Sequence, residues 1–391
     1  MSQTEVQLIK ADAVQTGDIA NSAVTDAKIS GVASSKLTGA LPAISGAALT
    51  NLPASGKAKN LIINGAMKIA QRGTSSTSTG YQTCDRIQAA RGGGAITQAQ
   101  VDISSSDTPY SLGFRKAFKV TNSTAASAAG NYRDIRYYVE AQDVANSGWN
   151  SVSSSSNITL SFWARSSVAQ TYYYFIYVPD SSKHFVVSFA LSANTWTKVT
   201  KTIPGATGVT INNDNGNGLN IQIAMWYGSD FTTSGQAVDT WGSWSGSSRV
   251  PDMTSTWAAT TDATFEITGV QLEVGDSATD FEHKTFAEEL QLCRRYYEDL
   301  TPKLYILARY SHHNVAPYGQ YHFNVQKRVA PTCSSSGSFE SSTGYSGNPS
   351  FTDTTVDATT IYGANSVTAG GILYLHTSGS GNGLLKFDAE L

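Results

Sequence analysis

"ITLSFWARSS", residues 158–167, is the stretch on which the fold class turns. Ile158, Leu160 and Phe162 alternate with Thr159 and Ser161. A β-strand sends successive side chains to opposite faces, so this alternation makes one apolar face and one polar face. The same texture recurs in "GFRKAFKVTN" (113–122), "TYYYFIYVP" (171–179), "HFVVSFAL" (184–191), "WTKVTKTIP" (196–204), "LNIQIAMWYG" (219–228) and "ATFEITGVQLEVG" (263–275). Each run is β-branched and aromatic and is bounded by Ser, Gly, Asn, Asp or Pro. Short strands in series, with no helical pattern between them, predict an antiparallel β-sandwich over residues 58–284. Trp163 and Trp196 fall inside these patterns and are read as core. "NLIINGAMKIAQRG" (60–73) reads as strand, Asn-Gly turn and strand.

The pattern then changes period. In "KTFAEELQLCRRYYEDL" (284–300), Thr285 and Glu288 have the spacing of a capping box. Phe286, Leu290, Cys293, Tyr297 and Leu300 follow at helical spacing, and Pro302 ends the run. A linking helix over 285–302, facing Phe286, Leu290 and Cys293 inward, is expected. Alternation resumes in "KLYILARYS", "GQYHFNVQKRV", "GILYLHTSG" and "GLLKFDAEL", which predicts a smaller C-terminal β domain over 303–391. The fold class is thus mainly β, with one short linking helix.

Residues 1–57 differ from the rest. They contain no aromatic residue, and Ile9, Val14, Ile19, Val24 and Ile29 recur every fifth position. Five residues advance a helix by about 500°, so the aliphatics wander around it. On a strand a step of five changes face each time. Such a segment cannot build a globular core of its own. It is either a disordered linker or an extended stalk in which copies of the chain meet along an axis, and the kept register favours the stalk. These five residues are the candidate oligomerisation contacts and, if a foreign groove supplies the apolar environment, the candidate docking contacts.

Composition narrows the function classes. Charged residues make up 15% of the 391-residue chain and the formal net charge is −3, so no global basic field recruits nucleic acid or an anionic membrane. No run approaches the length of a membrane-spanning helix, and the N-terminus has no apolar signal region. Cys84, Cys293 and Cys333 are odd in number and widely spaced, which fits free thiols better than a disulfide framework or a zinc site.

The segments "NLIINGAMKIAQRG", "YQTCDRIQ", "ITLSFWARSS" and "GVQLEVGDSATDFEHKTFAEELQLCRRYYEDL" together resemble a family of virion appendage proteins of tailed bacteriophages, cyanophages among them. The resemblance extends to the closing "DAEL" (388–391) and to "AVTDAKIS…LTGALPAISGAALTNLP", which is similar to fibre shaft repeats. It implies a jelly-roll domain like a carbohydrate-binding module, a short helix and a C-terminal β domain. It further implies a homotrimeric fibre or spike that docks on other virion proteins through residues 1–57 and binds the host surface. The protein would be assembled in the host cytoplasm and work on the virion. A capsid-decorating fibre and a polysaccharide-cleaving enzyme are the rival readings.

Catalytic constellations are thin. Asp353 with Asp357 and Asp262 with Glu266 are carboxylates four apart, a spacing common in turn-rich sequence. There is no HExxH or GxSxG motif. His312 and His313 are adjacent and would point to opposite faces of a strand. "NNDNGNGLN" (212–220) is oxygen-rich but lacks calcium-loop spacing and reads as an Asx-rich turn. No catalytic residue, metal or cofactor is therefore expected. Sugar binding needs flat aromatic faces beside fixed amides and carboxylates. Trp226, Tyr227, Trp241, Trp244 and Trp257 are the aromatics in question, and Trp241, Trp244 and Trp257 are the candidate glycan-binding residues. Loop tryptophans of this kind more commonly plug the end of a sandwich.

Overall fold

Alternating strands need partners for their edges and a second layer for their apolar faces, and this chain supplies both. The computed structural model describes residues 60–300, 306–307, 318–337, 339–341, 348–362, 374–377 and 383–391. They fall in one compact unit, Lys57–Leu391. Ile9, Val14, Ile19, Val24 and Ile29 lie outside the described residues, as do His312 and His313 and most of "KLYILARYS".

In chain order the sandwich strands are β1 (Ser75–Ser76), β2 (Ile87–Gly92), β3 (Thr97–Asp102), β4 (Lys116–Thr121), β5 (Tyr132–Glu140), β6 (Asn157–Ser166), β7 (Gln170–Val178), β8 (Lys183–Leu191), β9 (Thr197–Pro204), β10 (Asn217–Tyr227), β11 (Trp241–Ser243) and β12 (Thr264–Val274). They form two six-stranded antiparallel sheets, ordered β1-β3-β4-β12-β6-β9 and β11-β8-β7-β10-β5-β2. From β5 to β10 the chain crosses repeatedly between the sheets, as a sandwich requires.

The core forms where the two inner faces meet. Ile158, Leu160 and Phe162 of β6 meet Tyr172, Tyr174 and Ile176 of β7 and Leu219, Ile221 and Ile223 of β10. Phe162 lies edge-on to Tyr174 and to Phe189, each at 5.7 Å, the geometry that ring quadrupoles favour. Thr159 and Ser161, expected on a wet face, are buried too. The Thr159 hydroxyl donates to the Gly275 carbonyl at 2.9 Å.

Five sandwich strands, β1, β2, β3, β5 and β11, were not among the runs read from sequence. In β5, "YRDIRYYVE", charges interrupt the alternation, yet Ile135, Tyr137 and Val139 still line the core.

Residues 60–73 correct another expectation, because no strand forms there. Asn64 (φ 60°) and Met67 (φ 56°) take left-handed backbone conformations that end any extended run. Side-chain amides replace the ladder. Asn64 accepts from the Ile69 N–H at 2.9 Å and donates to the Ile69 and Asp85 carbonyls. Asn60 accepts from the Ile62 and Leu272 N–H groups.

Four short α-helices are present among the described residues: α1 (Thr108–Ser111), α2 (Ala141–Ala145), α3 (Thr256–Ala259) and α4 (Phe286–Arg294). The capping box of α4 is present, with Thr285 and Glu288 satisfying each other's amides. The helix is shorter than the expected 285–302, because its last residues serve a sheet. Tyr297–Leu300 forms β13 and pairs with Leu384–Asp388. The buried face also differs. Phe286 is 61% exposed, Leu290 is half-buried, and Glu289 and Cys293 point inward. Glu289 is drawn in because its carboxylate accepts the Asn64 N–H at 2.5 Å.

After β13 come β14 (Ile306–Leu307), β15 (Tyr318–His322), β16 (Thr332–Ser336), β17 (Phe339–Ser341), β18 (Ser350–Thr352), β19 (Ala358–Tyr362), β20 (Tyr374–Thr377) and β21 (Leu384–Asp388). They make three three-stranded sheets: β13-β21-β16, β14-β20-β17 and β15-β19-β18. Phe323, Phe339, Ile361, Leu385 and Phe387 form a small core of their own.

The sandwich and these sheets meet at a buried ionic seam. Arg86, 1% exposed, pairs with Glu390, and Arg72 bonds Asp388 at 3.1 Å and Glu390 at 3.3 Å. The Arg86 guanidinium stacks 3.5 Å above the Tyr296 ring and donates to the Tyr138 carbonyl at 2.6 Å. Arg328 donates to the carbonyls of Ala389 and Glu390. Cys84, Cys293 and Cys333 are free thiols, and burial pushes the pKa of each up.

Candidate functional site on the outer face of the second sheet

Strand period places a second set of side chains opposite the core. Because Ile221 and Ile223 of β10 face inward, Asn220, Gln222 and Ala224 face out. Register then fixes their neighbours. Asn220 lies between Tyr177 and Tyr138, Gln222 between Phe175 and Arg136, and Ala224 between Tyr173 and Asp134. Beyond β7 these rows continue to His184, Val186 and Ser188 on β8, and beyond β5 to Gln88 and Ala90 on β2.

Polar groups on this face are linked. Arg136 donates to Asp134 from Nε at 2.6 Å and from Nη2 at 3.1 Å. The Tyr227 hydroxyl donates to Asp134 Oδ2 at 2.6 Å and lies 3.0 Å from Gln222 Oε1. Gln222 Nε2 donates to Asn220 Oδ1 at 3.2 Å. The chain Arg136–Asp134–Tyr227–Gln222–Asn220 therefore fixes amide and guanidinium orientations in advance. Burial works against the charge on Arg136, but the Asp134 carboxylate outweighs it and holds that pKa above its ordinary value. Burial, and then Asp134, push the Tyr227 phenol far up, so it stays protonated. Asn220 Nδ2 has no protein acceptor among the described residues.

The segment after β10 folds over the other half of the face. Phe175, Val186, Ala224, Tyr227 and Val250 are buried there, with Phe231, Trp244 and Met253 packed against them. Trp244 stacks on Tyr177 at 4.4 Å and 27°. It also meets His184 edge-on at 5.4 Å, and burial lowers the His184 pKa. Trp244 remains half-buried and stands beside Asn220 through Tyr177.

The three candidate tryptophans thus separate. Trp241 belongs to β11, packs on Phe185 at 5.4 Å and donates its indole N–H to the Pro204 carbonyl at 2.6 Å, so it closes the sandwich end. Trp257 is fully buried in the main core, and its N–H is taken by the Thr264 carbonyl at 3.1 Å. It offers no face to a ligand, because α3 carries it inward. Only Trp244 sits on the polar face. Trp226 is buried, as is Tyr227, which serves through its hydroxyl. Asp134, Arg136, Asn220 and Gln222 were missed. For Asn220 and Gln222 the signal was the alternation of amides with Leu219, Ile221 and Ile223 inside a strand already recognised, whereas Asp134 and Arg136 lie on β5, which was not recognised.

The carboxylate pairs go elsewhere. Glu266 is bound by Arg165 at 2.7 Å, while Asp262 occupies a left-handed turn (φ 60°). Asp357 accepts from Gln326, and Asp353 sits at φ 49°. In "NNDNGNGLN", the Gly216 N–H donates to Asp214 Oδ1 at 2.8 Å, an Asx turn.

No protein-family model matches the chain, and no curated protein matches it in sequence. Solved structures match only distantly. The enzymatically active domain of tailspike protein 4 from bacteriophage CBA120 aligns with 8% identity and a TM-score of 0.30, over 55% of this chain and 21% of that one. The CBM22-1 xylan-binding domain of Paenibacillus barcinonensis Xyn10C aligns with 9% identity and a TM-score of 0.28, over 57% of this chain and 100% of that one. A cyclase from Fischerella sp. TAU aligns with 9% identity and a TM-score of 0.31, over 55% of this chain and 96% of that one. The chain spans about a fifth of the tailspike it matches. These are distant likenesses between β-sandwiches, and a fold this widely used does not carry a function with it.

Proposed function

We propose that this protein is a glycan-binding appendage of a phage virion, a homotrimeric fibre or spike that acts by recognition and not by catalysis. The observation that carries the binding role is the outer face of the second sheet. There a half-buried indole stacked on Tyr177 adjoins the pre-oriented amides of Gln222 and Asn220. Aromatic faces pack on the C–H side of a pyranose, and fixed amides select its hydroxyls. The appendage role is supported by the resemblance of the quoted motifs to phage fibre proteins. The aromatic-free segment 1–57, with its five-residue spacing, supports trimerisation and docking. Three linked sites would turn weak single contacts into firm attachment to the host surface.

The test has two arms. A glycan array probed with the full chain should give positive spots that Trp244→Ala and Gln222→Ala weaken, with no new reducing ends released from the bound glycan. Immunogold labelling of virions should place the protein on the particle. An empty array, or binding indifferent to both substitutions, would overturn the binding role. Unlabelled virions would overturn the appendage role.

A further inference from the structure

Arg249 stands over the covered half of the same face. Its guanidinium carbon lies 4.6 Å from the centre of the Phe231 ring, 5.4 Å from Tyr227, 5.8 Å from Trp244 and 6.0 Å from Tyr132. The backbone beneath it is held: the Arg249 N–H donates to the Phe231 carbonyl at 2.8 Å, and Val250 forms a β-bridge with Thr232. The Nε atom is spent on the Gly246 carbonyl at 3.0 Å. The two Nη groups have no carboxylate or other protein acceptor among the described residues, and the residue is half-exposed. Arg136, its counterpart on the other half of the face, where Asp134, Gln222 and Asn220 are buried, is by contrast neutralised by Asp134. A guanidinium held among four rings on a half-exposed residue, with no protein acceptor for its Nη groups among the described residues, is prepared for a planar anion.

We infer that the glycan recognised on this face is acidic, with a sugar carboxylate seated on the Arg249 fork beside the ring that Trp244 holds. This rests on the glycan-binding reading above and adds the charge class to it.

The experiment uses the full chain and a panel of short galacturonate, mannuronate and guluronate oligosaccharides, each beside its methyl ester. The ester keeps the sugar and removes the charge. At low salt at least one acid form should bind about tenfold to a hundredfold more tightly than its ester, the range expected for a charge-assisted hydrogen-bonded pair. Arg249→Gln should erase that difference while leaving ester binding in place, and Arg249→Lys should keep part of it. Equal binding of acid and ester by the wild-type chain would overturn the inference even if Arg249→Gln failed to fold. So would an acid preference that survives Arg249→Gln. If neutral glycans bind in a Trp244-dependent way and no uronate does, the acidic class falls while the binding role stands. If nothing binds on the panel or the array, both fall.

Discussion

Replacing Glu390 by Ala would strand a charge inside the seam between sandwich and C-terminal sheets. The Arg86 side chain is 1% exposed and that of Glu390 5%, so both charges have left water. Arg86 keeps one bond to the Tyr138 carbonyl and its stack on Tyr296, but neither supplies a counter-charge. Removing one member of such a buried pair costs about 3–5 kcal/mol, because the remaining ion stays desolvated. Arg72 loses a partner in the same step but retains Asp388 at 3.1 Å, so its share of the loss is small. Glu390→Gln, which leaves an acceptor but no charge, should fall between Glu390→Ala and the wild type. The double change Arg86→Met with Glu390→Leu should recover much of the loss, since burying no charge at all is often neutral. Urea unfolding at pH 7 measures this. The seven tryptophans lie between Trp149 and Trp257, so fluorescence follows the sandwich, while limited proteolysis follows the C-terminal sheets. A Glu390→Ala protein within about 1 kcal/mol of wild type by both probes would refute the reasoning, since that is the value of an exposed pair.

Three further outcomes follow from burial and charge. Trp257→Ala should cost about 3–5 kcal/mol as a fully buried ring, whereas Phe286→Ala, at 61% exposure, should stay within about 0.5 kcal/mol, both read from thermal melts. Leu290→Ala, half-buried on α4, should cost less than the roughly 2–5 kcal/mol of a fully buried leucine. The folded-state pKa of His184 lies below the unfolded value of about 6.5, so its contribution to stability is present above that pH and lost as pH falls through the folded pKa. Near-ultraviolet circular dichroism should therefore show the Trp244 environment loosening in acid, less so in His184→Gln, and identical acid profiles would contradict this.

Much of the architecture was legible because period two survives wherever one face of a strand meets the core. Ile158–Phe162 and Leu219–Met225 announce themselves this way. What stayed hidden has physical causes. Strand β5 carries Arg133, Asp134 and Arg136, and nothing local shows that Asp134 and Arg136 neutralise each other on an outer face. Tyr297 and Leu300 satisfy helical spacing as well as strand pairing, and only β21, some eighty residues later, decides between them. The Asn-Gly of residues 64–65 signals a turn correctly, but long-range bonds to Val270 and Leu272 replace the flanking strands. The binding face was read in part. Loop position suggested Trp241 and Trp244 at the surface, α3 takes the third candidate, Trp257, into the core, and the amides beside Trp244 come from strands whose pairing only the fold reveals.

The most direct measurement is a crystal structure of the full chain with the tightest-binding oligosaccharide from the array. The account predicts one sugar ring against the Trp244–Tyr177 stack, with hydroxyls on Asn220 and Gln222. A sugar seated anywhere else on the chain, with this face bare, would contradict it.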